Sequence, residues 1–216
     1  RRHAGAVPPR LRGMQLPMPW SELAALLAFA TAMSFTPGPN TTLAAALAAN
    51  HGLRHALRFV MGVPLGWGAL LLACALGLGA LLQQLPLLRG ALEWAGLAYL
   101  LWLAWKLAGS ARLAQADPRR FDVGFWQGAA LQFVNVKAWM AALLISASWI
   151  NLASDVWARI AFVLPLLMAY GLVSNLSYAL LGSALRGWLA QGARLLWFNR
   201  VLALVLLVTA LWMAGS

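Results

Sequence analysis

Long apolar runs separated by short clusters of charge set the pattern of this chain. The first begins at Trp20, continues as LAALLAFATAMSF from Leu23 to Phe35, is interrupted by TPGPN and resumes as TTLAAALAA to Ala49. It predicts one membrane-spanning helix with a fracture in it. Further runs predict spans from Phe59 to Leu82, Leu92 to Gly109, Phe125 to Ile150, Ile160 to Gly182 and Val201 to Ala214. The last rises only about 21 Å, so it must borrow Leu195 to Phe198 to cross about 30 Å of hydrocarbon, with Arg200 snorkelling to the surface. Ahead of the first run, residues 1–19 (RRHAGAVPPRLRGMQLPMP) hold no apolar segment and read as a tail. Met14 or Met18 is the expected start, with an upstream extension before it.

Composition agrees with the runs. At 62% apolar and 10% charged the chain is far from the roughly half and quarter usual for soluble domains, which excludes a water-soluble globule. Its 216 residues leave room for about five to seven spans and no appended soluble domain. The single Cys74 excludes a disulfide framework. A net charge of +11 suggests nucleic acid until its placement is read: the basic residues lie a few at a time between apolar runs, so no nucleic-acid surface is expected. They fix orientation instead. Arg54, Arg58, Lys106, Arg112, Arg119, Arg120, Arg186, Arg194 and Arg200 follow spans one, three and five, against Arg89 and Arg159 on the other side. Positive loops stay cytoplasmic, so both termini are expected to face away from the cytoplasm.

The expected fold class is therefore an all-α membrane protein, with six transmembrane helices arranged as two inverted three-helix repeats. The halves, about 20–110 and 125–214, are joined by the charged linker 111–124 within a single transmembrane domain, 20–216. Each opening span carries an interruption: FTPGPN at Phe35 to Asn40 and FVNVKA at Phe133 to Ala138. From Leu23 to Pro37 is about 21 Å of helix and from Phe125 to Asn135 about 15 Å, so both reach the middle of the membrane. Paired interruptions in inverted halves point to a transporter's binding site.

The chemistry of the interruptions follows from their residue types. Pro37 and Pro39 lack an N–H, so the carbonyls of Met33 and Phe35 lose their helical partners, and Gly38 lets the chain unwind. Asn40, an expected N-cap, opens a new half-helix with Thr41 and Thr42 and aims its positive dipole end into the break. Such an end would hold a carboxylate, and the freed carbonyls an ammonium. In the second interruption Gln132 and Asn135 share a helical face, and Lys137 stands where a buried lysine is expensive. Lys137 is expected to pair with a substrate carboxylate or to exchange a proton; snorkelling to the cytoplasmic interface is the alternative. In the fifth span Ser174, Asn175 and Ser177, with Tyr170 and Tyr178, either line a cavity or bond neighbouring helices. Gly62 with Gly66, and Gly124 with Gly128, are spaced for close helix packing. His51 and His55 lack the further ligands a metal would need, and no catalytic set or phosphate loop is present, so neither enzyme chemistry nor a cofactor is expected.

FTPGPNT at Phe35 to Thr41, WAGLAYLLWLAWK at Trp94 to Lys106 and QFVNVKAW at Gln132 to Trp139 resemble the LysE/RhtB amino-acid exporters of bacterial inner membranes. The resemblance covers about residues 20–214. It departs from the family at Val136, where the usual residue is Pro, while Asn135 and Lys137 stay in place. It implies efflux of amino acids or close derivatives from the cytoplasm, driven by the proton motive force. The expected substrate-binding residues are Pro37, Gly38, Pro39, Asn40, Thr41, Gln132, Asn135, Lys137 and Asn175. The expected partners are an amino-acid substrate, protons as coupling ion and membrane lipid, with a homo-oligomer left open. The rival readings are a membrane scaffold whose breaks only shape packing, and an ion channel.

Overall fold

The computed structural model describes residues 17–109 and 123–214. The expected tail up to Leu16, most of the linker and the two C-terminal residues lie outside the described residues. Those described form helices α1 (Trp20–Phe35), α2 (Pro39–His51), α3 (Leu53–Ala75), α4 (Leu78–Gln83), α5 (Pro86–Ala108), α6 (Phe125–Val134), α7 (Val136–Ile145), α8 (Val156–Leu189) and α9 (Arg194–Ala214). A π-helical turn, Ser146–Ile150, continues α7. Four helices (α3, α5, α8 and most of α9) are long and apolar enough to cross a membrane, or five spans if the bent pair of α6 with α7 and its π turn counts as one.

Several boundaries move from their sequence-based positions. The second run is not one helix: α3 starts six residues earlier than Phe59, because exposed Arg54 and Arg58 ride comfortably on its first turns, and it ends at Ala75. There Gly77 adopts φ +101°, a left-handed conformation that glycine tolerates, and α4 begins at Leu78. Pro86 opens α5 six residues before Leu92, the missing N–H costing nothing at a helix start. Asp155 caps α8 through a 2.9 Å bond from the Ala158 N–H, and the helix runs past Gly182 to Leu189. At about 1.5 Å per residue it exceeds the hydrocarbon thickness, so its last turns, with Arg186, reach beyond it. The sixth run is a single helix that takes in Leu195 to Phe198, as its length requires.

The tightest helix pairs are α2 with α8, α3 with α6, α3 with α8, and α5 with α9. Lipid solvates apolar side chains as well as protein does, so close backbone approach has to hold such pairs. A Cβ on Gly62 would lie 2.1 Å from the Phe125 carbonyl oxygen, and one on Gly66 2.2 Å from that of Ala129, which seats α3 on α6. Gly128 packs on Phe59, but Gly124 touches only Gln127 and serves as the N-cap of α6, not as packing surface. One apolar cluster joins α2, α3, α5, α6, α8 and α9; a second joins α1, α3, α7, the π turn and α8. α3 and α8 belong to both.

Candidate functional site

Both breaks form as the sequence predicts, by different means. At the first, Gly38 is the N-cap and Pro39 the opening residue of α2, so Asn40 lies in the first turn and is not the cap. Proline fits that position because its missing N–H would be unpaired there anyway. The Gly38 N–H donates to Thr41 Oγ1 at 3.1 Å, and its carbonyl accepts from the Thr42 N–H at 2.9 Å. This frees the Asn40 side chain for another partner.

At the second, Asn135 is extended (φ −98°, ψ 102°) between α6 and α7, which meet at 70° even though Val136 stands where a proline would force the bend. Side chains hold it open. Trp139 donates from Nε1 to the Phe133 carbonyl at 2.8 Å, satisfying an end of α6, while the Asn135 carbonyl starts α7 by accepting from the Ala138 and Trp139 N–H groups.

The two breaks are bonded to each other. Asn40 Nδ2 donates to Gln132 Oε1 at 2.9 Å and Gln132 Nε2 donates to Asn40 Oδ1 at 3.1 Å, a reciprocal amide pair across 92 residues of sequence. Gln132 also donates to the Gly128 carbonyl of its own helix at 2.9 Å. Lys137 Nζ donates to the Thr36 carbonyl at 2.9 Å and packs over Gly38, where an added Cβ would lie 3.3 Å from Nζ. Lys137 thus stays at the break and does not snorkel away.

α8 supplies the remaining partners. Ser174 donates to the Ser34 carbonyl, Tyr178 donates to that of Phe35 at 2.8 Å, and Thr31 bonds the Tyr170 hydroxyl at 3.5 Å. The polar stripe of this helix therefore closes over the first break, with Ser177 turned to the Val173 carbonyl of its own helix. The Phe35 carbonyl, released by Pro39, is taken up by Tyr178.

Between these elements lies a cavity of about 90 Å³. Of the expected site residues, Gly38, Pro39, Asn40, Thr41, Asn135, Lys137 and Asn175 line it; Pro37 faces away and Gln132 sits behind Asn40 as its anchor. The sequence did not single out Thr36, Ser34, Trp67, Phe29 or Pro64, which also line it. Asn135 and Asn175 are 2% and 4% exposed, and the side-chain oxygen of each has no hydrogen-bond partner. An unpaired amide oxygen in such a place costs about 1–3 kcal/mol, and both residues line the same cavity. The first-turn N–H groups of Asn40 and Thr41 face the break as donors, beside the Lys137 ammonium. Among the described residues no group of three or more His, Cys, Asp or Glu could hold a metal.

A multi-pass helical membrane protein whose broken helices meet around a partly polar cavity has the build of a transporter. The sequence profile of the LysE type translocators matches residues 31–215, and the chain belongs to that family. It is 35% identical over 176 residues to a cysteine/O-acetylserine efflux protein of Klebsiella pneumoniae, covering 81% of this chain and 89% of that one. Proteins of the same description from Salmonella typhimurium and Escherichia coli are 34% and 35% identical, each alignment covering 87% of this chain and 95% of the relative. No solved structure matches the chain.

Proposed function

We propose that this protein exports an amino acid or close derivative from the bacterial cytoplasm across the inner membrane, driven by the proton motive force. The observation that carries the proposal is that Asn135 and Asn175, each with an unpartnered side-chain oxygen, line one cavity with Lys137 and the start of α2. Acceptors and donors in one small space suit a zwitterion. Its ammonium bonds the two asparagine oxygens, and its carboxylate meets Lys137 and the N–H groups of Asn40 and Thr41. Relatives described as efflux proteins for cysteine and O-acetylserine support amino acids as the cargo.

In this reading α1 with α2 is one broken span and α6 with α7 another. With α3, α5, α8 and α9 they make six, the two halves lying in opposite senses with both termini outside the cytoplasm. Extensive packing of α2 on α8 and of α6 on α3 supports it, since each half lends its broken helix to a long helix of the other. Alternating access is then a rocking of the halves about the cavity.

Uptake of radiolabelled cysteine or O-acetylserine into inside-out vesicles tests the proposal. Uptake should require a proton gradient and collapse with an uncoupler. Lys137→Ala and Asn175→Ala should each lower it at least about tenfold at unchanged abundance, the loss of about one charged hydrogen bond. Flux indifferent to the uncoupler removes the coupling, and wild-type flux in both variants removes the site.

A further inference from the structure

The cavity is polar at one end only, and three helices agree on which. Thr36, Lys137 and Asn175 stand at the breaks. Followed away from them, α1 reaches Phe29, α7 reaches Ile145 and α8 reaches Leu167, each about 10–12 Å of helix further on. α3 joins the same apolar end: Gly68 faces the Met168 side chain of α8, and its neighbour Trp67 lines the cavity and packs in the same apolar cluster as Leu167. Phe29, at that end of the lining, stacks on Trp149 of the π turn at 5.7 Å. Lys137 is the only charged side chain among the described residues that line the cavity; none is acidic.

From this we infer that Trp67 determines which amino acid the protein carries, as the wall of an uncharged side-chain chamber, and that cationic amino acids are refused. The inference rests on the amino-acid reading above. With the α-amino and α-carboxyl groups held at the breaks, the side chain points into the apolar end. A lysine or arginine side chain would bring a second cation into a space that already holds Lys137 and offers no carboxylate, and burying an unpaired charge is expensive. Size is limited as well. The cavity is about 90 Å³, which favours a short side chain over a long one. Trp67 is the largest side chain on the wall, and Ala141, on α7 at the same end, is among the smallest. Exchanging their sizes should move the preference in opposite directions.

The test is uptake into inside-out vesicles of a labelled panel of serine, cysteine, leucine and lysine, with abundance measured for each variant. In the wild type serine and cysteine are carried and lysine is not. Trp67→Ala raises the ratio of leucine to serine uptake by about tenfold, the scale of discrimination a hydrophobic pocket gives for a methylene or two. Ala141→Leu lowers the same ratio. Ratios are compared in variants that still carry serine, with Trp67→Phe in place of Trp67→Ala if that variant misfolds; unchanged ratios there, with the wild type active, overturn the role of Trp67. Lysine carried as well as serine overturns the charge exclusion. A wild type that carries nothing in the panel takes down the amino-acid reading itself, which separates the two failures.

Discussion

The amide pair between Asn40 and Gln132 ties the two breaks side chain to side chain, and its strength can be worked out. Gln132 is fully buried, with its oxygen bonded by Asn40 at 2.9 Å and its nitrogen shared between Asn40 and the Gly128 carbonyl. Interhelical hydrogen bonds in membrane proteins contribute about 0.6 kcal/mol on average and about 1.7 at most, so two in parallel give a coupling of about 1–3 kcal/mol. The perturbation is a cycle of Asn40→Leu, Gln132→Met and the double variant, which replaces each amide by an apolar group of similar size. The single variants should be unequal. Asn40→Leu strands the Gln132 oxygen in a place water does not reach, whereas Gln132→Met leaves an Asn40 that borders the cavity. The double variant, with neither amide left to satisfy, should be more stable than the sum of the single losses predicts. Reversible unfolding in mixed detergent micelles, followed by tryptophan fluorescence, measures all four proteins. Losses that add to within about 0.3 kcal/mol would refute the pairing as an energetic link.

Three further predictions use the same assay. Tyr178→Phe removes the donor to the Phe35 carbonyl and should cost about 1–2 kcal/mol, while Ser177→Ala, whose hydroxyl serves only its own helix, should change stability by less than about 0.5. Gly182→Ala would bring a Cβ to 2.2 Å from the Ala45 carbonyl oxygen and should cost at least about 2 kcal/mol by forcing α2 from α8; Gly187→Ala, with nothing nearby, should stabilise by about 0.5–1. The Arg159–Glu22 ion pair, at 2.7 Å, joins a guanidinium only 9% exposed to a carboxylate that is 46% exposed. Glu22→Gln should therefore destabilise more than Arg159→Met, because it leaves the buried charge behind, and equal losses would contradict that account.

Much of this architecture is legible along the chain. TPGPN declares its break through two residues that cannot donate and one that has no side chain, and the run beginning at Ile160 declares a membrane helix by length alone. Local rules also assign Gly62 and Gly66 to packing. What they miss is set by distant partners. No spacing rule connects Asn40 with Gln132, Tyr178 with Phe35 or Glu22 with Arg159, because each pair is brought together only by the folded bundle. The second break was hard to read for the same reason: with Val136 in place of proline, its bend depends on Trp139 reaching back to the Phe133 carbonyl and on Lys137 reaching across to Thr36. Helices run past the apolar segments where arginines flank them, since a charged turn outside the hydrocarbon is still a good helix.

α2 carries a consequence for how the protein is made. Every residue from Thr41 to Asn50 is buried, and at its far end Asn50 pairs with Asn199 of α9 through two bonds, of 2.9 and 3.0 Å. Its partners along the side and at that end, α8 and α9, lie more than a hundred residues downstream, so during synthesis the helix emerges long before anything can satisfy it. Thr41, Thr42 and Asn50 give the isolated segment little reason to settle in lipid, and its alanines offer little to hold it there. The N-terminal half is therefore an unfinished object until the last helix arrives, and a chain stopped after α5 should be left without a stable fold and be open to membrane proteases.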